Sequence, residues 1–293
     1  MDSLREIIAD AAKRKIALGH FNISDIAGLK AIVLAAVEVS KELGEEVPVL
    51  IGTSEGEREF LGAENAVSLV RNMRGEFGHP IFLNADHTYS LEKVREAALL
   101  GYDSIIFDGA KMSLEENIAQ TRAAVELAKK INPEIIVEGE LGYIGTSSAL
   151  LEKLPEGAQI TEKDLTTPED AARFVKETGV DLFAPAVGNI HGMLSGAENP
   201  ALNIARIGEI AKAVSVPLVL HGGSGLKDEE FVAAAKNGMA IIHINTEIRL
   251  AWRKGLEKAF AEKPKEVAPY KLLSYSVEEM KQVVGQRLKL FRS

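Results

Sequence analysis

Residues 81–107, IFLNADHTYSLEKVREAALLGYDSIIF, hold the pattern that decides the fold. The segment opens on an apolar run of strand length, Ile81–Ala85, and then places a carboxylate beside an imidazole, Asp86-His87. Ser90 precedes LEKVREAALL, residues 91–100, whose apolar positions recur at three- and four-residue spacing. A serine there accepts the free N–H groups of a first helical turn, and Gly101 suits the left-handed residue that ends a helix. A second short apolar run, Ser104–Phe107, follows at once. Strand, helix and strand in succession make a βαβ unit, whose strands are parallel because the helix returns the chain.

Outward from this unit the pattern repeats. Strands are expected at Ile16–Phe21, Pro48–Gly52, Ile81–Ala85, Ser104–Phe107, Glu134–Glu140, Asp181–Val187, Pro217–Leu220 and Ala240–Ile244. Helical periodicity fills 25–43, 91–100, 114–131, 168–178, 201–214, 227–237 and 246–262. Ser113 and Thr167-Pro168 read as helix starts, and Gly44, Gly179 and Gly238 as stops. Eight strands alternating with helices in 293 residues favour an α/β chain of the (β/α)8 barrel type, read as one domain over 1–293. Residues 142–166 form the longest connection without a period, the length of a functional lid. Residues 263–293 fall outside the repeat; with a helix near Val277–Phe291, they are expected to cover the barrel or join a subunit interface.

The totals exclude several classes. Net charge is −9, which argues against a general nucleic-acid binder, since phosphate affinity comes from clustered Lys and Arg. There is no cysteine, so disulfides, iron–sulfur clusters, thiolate zinc and a cysteine nucleophile are ruled out. Any metal must be held by nitrogen or oxygen. No window approaches the roughly 18 apolar residues of a membrane span. The first residues, MDSLREIIADAAKRK, lack an apolar signal core, so a cytoplasmic enzyme is expected.

In a (β/α)8 barrel the chemistry sits at the C-terminal ends of the strands. Those ends read His20-Phe21-Asn22, Thr53-Ser54, Asp86-His87, Asp108-Gly109, Glu138 and Glu140 on one face, GNIHG with His191, His221-Gly-Gly-Ser-Gly, and His243-Ile-Asn245-Thr246. Five of the six histidines fall there, His79 being the exception. Three neutral imidazoles with an open position form a catalytic zinc site, and His87, His191 and His221 are the favoured set. HGGSG, after the seventh strand, stands where such barrels bind phosphate. Asp86 has two readings: a carboxylate that passes a proton to a metal-bound substrate, or a partner that orients a liganding histidine.

These residues resemble class II, metal-dependent fructose-bisphosphate and tagatose-bisphosphate aldolases. LNADHTYSLEKVREAALLGYDSIIFDGAKMSLEENI looks like the hallmark segment, and VEGELGYIG, TGVDLFAPAVGNIHG, PLVLHGGSGL and NTEIRLAW continue it in order. FNISDIAGLKAIVLAAVE and PVLIGTSEG match nearer the start. The resemblance implies Zn2+ on His87, His191 and His221, with Co2+, Mn2+ or Fe2+ as alternatives. It implies reversible aldol cleavage of a ketose 1,6-bisphosphate, fructose 1,6-bisphosphate first, the tagatose isomer next and another phosphorylated keto-sugar third. It assigns Asp86 the proton of the aldehyde-derived hydroxyl, and Asp108 and Glu140 an alternative metal position or ligand orientation. Gly192, Gly222, Gly223, Ser224, Asn245 and Thr246 match a phosphate cradle; Asn22 and Ser54 match substrate-side groups; Arg249 matches an arginine for the far phosphate. A Na+ or K+ ion near Val187–Gly188, and a homodimer or homotetramer, are implied as well.

Three departures stand out. Ile241 and His243 replace the family's Lys-x-Asn, so His243 is a substitute donor, an added ligand or a packing residue. The loop Gly145-Thr146-Ser147-Ser148 lacks the usual early acids, leaving Glu152 and Glu156 as later candidates. Leu194 and Ser195 stand where Tyr and Lys are common. Two rivals remain: a non-catalytic metal- and phosphate-binding barrel, and a Schiff-base aldolase, for which no strand offers a convincing inward lysine.

Overall fold

The computed structural model describes residues 2–158 and 160–293. Eight parallel strands close into a barrel: β1 Leu18–Asn22, β2 Val49–Thr53, β3 Ile81–Thr88, β4 Ser104–Phe107, β5 Ile136–Leu141, β6 Leu182–Pro185, β7 Leu218–Leu220 and β8 Met239–Ile244. Each pairs with its sequence neighbours, and β8 closes on β1 with His20 opposite His243. The (β/α)8 reading therefore holds.

The strand bounds shift for local reasons. β5 starts at Ile136 because Ile135 N–H closes a turn on Asn132. β6 is confined to Leu182–Pro185, although Asp181 and Ala186 on either side still donate to β5. β3 runs on to Thr88 through a register shift after Ala85. Helices Glu55–Leu61 and Ala63–Phe77 occupy a stretch that showed no clean period, because Gly62 splits it. The C-terminal helix runs Pro269–Leu290, longer than expected, with proline preset for its first turn. It packs on helices Thr246–Glu262 and Ile26–Leu43, and Phe291 C=O accepts from Ala17 N–H at the foot of β1. It thus covers the barrel wall.

Side-chain alternation sorts the interior into levels. β1 places Leu18, His20 and Asn22 at two-residue steps, β3 Phe82, Asn84 and Asp86, and β5 Ile136, Glu138 and Glu140. The lower level is apolar: Leu18, Leu50, Phe82, Ile136, Leu182, Val219 and Ile241 form one cluster, closed from below by Leu4, Ile8 and Ala11 of helix Leu4–Arg14. Each buried aliphatic side chain there contributes about 2 kcal/mol. The upper levels are polar and buried, which is costly unless the groups pair or bind something.

Candidate active site

The site begins with a backbone irregularity. His87 adopts φ 43°, a left-handed conformation that non-glycine residues avoid, at the register shift in β3. The irregularity lets Asp86 and His87, adjacent in sequence, share one space: Asp86 Oδ1 is 3.7 Å from His87 Nε2. Such strain is retained where the surroundings hold it, and here they do. His87 Nδ1 lies 2.9 Å from Asp108 Oδ2 and 3.4 Å from Glu140 Oε2, so the ring aims Nε2 at the barrel axis.

His221 meets it from β7. Its Nδ1 is 3.3 Å from His87 Nε2, and its Nε2 is 2.7 Å from the buried Glu138 carboxyl. His191 completes the group, with Nε2 buried and unpartnered. Ring centroids are 4.8 Å apart for His87–His191, 4.9 Å for His87–His221 and 5.8 Å for His191–His221, each pair near perpendicular. One nitrogen from each lies within 4.8 Å of the others. Tetrahedral zinc at about 2.0–2.1 Å from nitrogen sets its ligands roughly 3.3 Å apart, so the donor set fits a metal. With ring protons facing Asp108 and Glu138, His87 Nε2 and His221 Nδ1 would present both lone pairs to a metal between them. His87, Asp108 and Glu140 form a second possible metal group at the same centre.

Burial shapes the charges. His221 is pushed down to about 3 by burial and then by His87, and His191 and His243 also fall well below the usual histidine range. His87 moves the other way: against its burial, Asp86, Asp108 and Glu140 raise it well above the usual histidine range. Burial pushes Glu138 up to about 8. For Asp86 burial is outweighed by His87, His20 and His221 and by the Asn22 amide, and its carboxyl stays ionised well below the usual range.

Asp86 Oδ2 accepts from Asn22 Nδ2 at 2.7 Å, while its Oδ1 is buried without a partner. Behind it runs a column of imidazoles that the sequence did not reveal as a unit. His20 and His243 stack at 3.5 Å and 8°, and His243 and His221 at 4.1 Å and 25°. Gly52 on β2 leaves room for the first ring: a Cβ there would overlap His20 Cε1. His243 packs within the column and edges the cavity, and its donor atoms also lie within 4.8 Å of His20 and Asp86 and of Glu138 and His221.

The expected phosphate cradle gathers beside the imidazoles. Asn22, Asp86, His87, His191, Gly192, Gly222, Ser224, His243, Asn245 and Thr246 line a cleft of about 20 Å3. Gly222 has φ 61°, and a Cβ would overlap the Ile190 carbonyl oxygen. Gly223 donates its N–H to His243 C=O. Ser224 Oγ accepts from the N–H groups of Asn245 and Glu247 and so caps the start of helix Thr246–Glu262. Ser54, Asp86, His87, His191 and Arg249 also line a wider cavity of about 210 Å3. Among the described residues no lysine lines either space, and Lys111 borders the adjoining one with Asp108 and Glu140.

Other expected residues lie apart. Glu152 and Glu156 are exposed and line neither cavity. Val187 and Gly188 line neither as well, and Val187 C=O accepts from Asn203 N–H. The sequence reading missed Glu57. Ser54-x-x-Glu57 carries a helix-start signature, and Glu57 does accept from Ser54 N–H. The same carboxylate also takes Asn22 Nδ2 at 2.8 Å and Arg249 Nη2 at 2.7 Å, contacts that no local pattern announces.

Comparison with known proteins gives the family. The family described as fructose-bisphosphate aldolase class-II matches residues 2–293. A 6-phospho-5-dehydro-2-deoxy-D-gluconate aldolase of Shouchella clausii is 33% identical, over 97% of this chain and 92% of that protein. A fructose-bisphosphate aldolase of Geobacillus stearothermophilus is 31% identical, over 99% and 96%. The crystal structure of the YdjI aldolase from Escherichia coli K12 superposes with TM-score 0.79 at 29% identity, covering 99% of this chain and 96% of that one.

Proposed function

The chain belongs to the class-II fructose-bisphosphate aldolase family, and on that premise we propose reversible, zinc-dependent cleavage of a phosphorylated ketose to dihydroxyacetone phosphate and an aldehyde. The observation that carries this reading is the convergence of His87 Nε2, His221 Nδ1 and the unpartnered His191 Nε2 beside Asp86. His87, His191 and His221 would hold the metal. When bound, a divalent ion supplies Lewis acidity toward the ketose carbonyl and its neighbouring hydroxyl.

This chain's residues do the rest. Asp86 Oδ1, free while Asn22 fixes Oδ2, takes the proton of the C4 hydroxyl. The C3–C4 bond breaks, its electron pair stays on C3, and C3 takes up a proton from water. Asp108 and Glu140 orient His87, and Glu138 orients His221. Gly192, Gly222, Gly223, Ser224, Asn245 and Thr246 hold the phosphate of the dihydroxyacetone half. Asn22, Ser54, His243 and Arg249 face the remainder of the substrate. The reading includes a Na+ or K+ ion at the Val187–Gly188 carbonyls, homo-oligomer assembly and cytoplasmic residence. No helix among the described residues is long and apolar enough to cross a membrane.

The family name makes fructose 1,6-bisphosphate the first compound to assay, with tagatose 1,6-bisphosphate and other ketose phosphates beside it. A non-catalytic barrel would have no use for the free oxygen of Asp86. A coupled assay for dihydroxyacetone phosphate, with and without chelator, tests the reading. Turnover that chelation abolishes and zinc or cobalt restores is expected; turnover that survives thorough chelation refutes the metal mechanism.

A further inference from the structure

The two ends of the site are electrostatically unequal. The cradle around Gly192, Gly222 and Ser224 lies at the N-terminus of helix Thr246–Glu262 and is lined by no lysine or arginine. At the other end Arg249 also borders an open cavity of about 680 Å3 with Arg253 and Lys254, which are already paired with Glu257 and Glu279. Arg249 is the only Lys or Arg lining the two cavities over the imidazoles. Its guanidinium is already engaged, Nη2 with Glu57 Oε1 at 2.7 Å and Nη1 with Ser148 C=O at 2.9 Å.

Glu57 cannot swing aside. It is 6% exposed, and its Oε2 is held by Asn22 Nδ2 at 2.8 Å and Ser54 N–H at 2.9 Å. Glu55 and Asp86 line the same wider cavity. A phosphate dianion placed on Arg249 would also face Glu57, whose charge offsets that of the guanidinium. Beyond the pair lies a cavity of about 460 Å3 that shares Asn22, Glu57 and Arg249 and is otherwise walled largely by Ile23, Phe60, Ile248, Trp252, Leu273 and Met280. Its only indole N–H, on Trp252, is taken by Asp25. Lys111 sits in a separate space of about 100 Å3 among Asp108 and Glu140.

Resting on the aldolase reading above, we infer that the aldehyde half of the substrate carries no phosphate, and that Glu57 sets this preference by neutralising Arg249. The substrate class is a ketose phosphorylated on C1 alone. Cleavage of C3–C4, with the proton movements already given, releases dihydroxyacetone phosphate and an uncharged hydroxyaldehyde.

The test runs in the condensation direction with zinc-loaded enzyme and dihydroxyacetone phosphate. D-Glyceraldehyde is compared with D-glyceraldehyde 3-phosphate through kcat/KM for the aldehyde. The uncharged aldehyde should be favoured by about tenfold or more. Glu57→Gln keeps the shape, removes the charge and should move the ratio about tenfold toward the phosphorylated aldehyde. Equal rates or a preference for the phosphate in the wild-type enzyme overturn the inference, as does an unmoved ratio in Glu57→Gln. Deuterium exchange into dihydroxyacetone phosphate in heavy water, which needs only the other half, separates the failures. Exchange with the wrong aldehyde preference sinks only the inference; no exchange and no condensation sink the aldolase reading with it.

Discussion

Removing the Glu138 carboxyl should weaken metal binding without unfolding the barrel. Glu138 is 1% exposed and lies 2.7 Å from His221 Nε2, on the side of the ring away from the metal-facing Nδ1. With a metal on Nδ1, the remaining ring proton sits on Nε2 and donates to Glu138. Glu138→Ala leaves that buried N–H without its acceptor, at a cost of about 1–3 kcal/mol. In the metal-free protein the ring escapes by moving its proton to Nδ1. The cost therefore falls on the bound state and appears as an affinity loss of about 10–100-fold. Glu138→Gln keeps an acceptor and should lose well under half of that in free-energy terms. The assay is zinc competition against a chromophoric chelator at fixed pH, with near-UV circular dichroism to confirm native packing. An alanine variant that binds zinc within about threefold of wild type would refute the argument that Glu138 fixes the tautomer.

Three further outcomes are expected. Asp86→Ala should retain zinc by elemental analysis yet lose about 10²–10⁴-fold in kcat, the worth of a placed proton acceptor; loss of the metal instead would make Asp86 a structural partner. Gly222→Ala forces a left-handed residue against the Ile190 carbonyl and should raise KM for dihydroxyacetone phosphate while lowering Tm, since such strain costs about 1–3 kcal/mol; an unchanged KM would remove Gly222 from the cradle. Phe291→Ala removes a ring that is 1% exposed and 5.4 Å from Phe231, at a cost of about 3–5 kcal/mol in chemical denaturation; a cost under about 1 kcal/mol would show that the C-terminal helix does not brace the barrel.

The sequence alone determined the eightfold strand–helix alternation, because amphipathic period, capping serines and terminal glycines are local signals. It also placed Asp86, His87, His191, His221 and the HGGSG turn at strand ends, because in a parallel barrel every strand points its C-terminus to one rim. Only the tertiary structure decided what those side chains do to one another. The imidazole column of His20, His243 and His221 exists because β1 and β8 close on each other in register, a pairing that spans nearly the whole chain. The division of labour between the two oxygens of Asp86 depends on Asn22, a residue from another strand. Glu57 reads as a helix-capping residue until folding brings Arg249, 192 positions later, against it. Hydrophobic period is written into neighbouring residues; electrostatic pairing is written into distances that only the closed barrel sets.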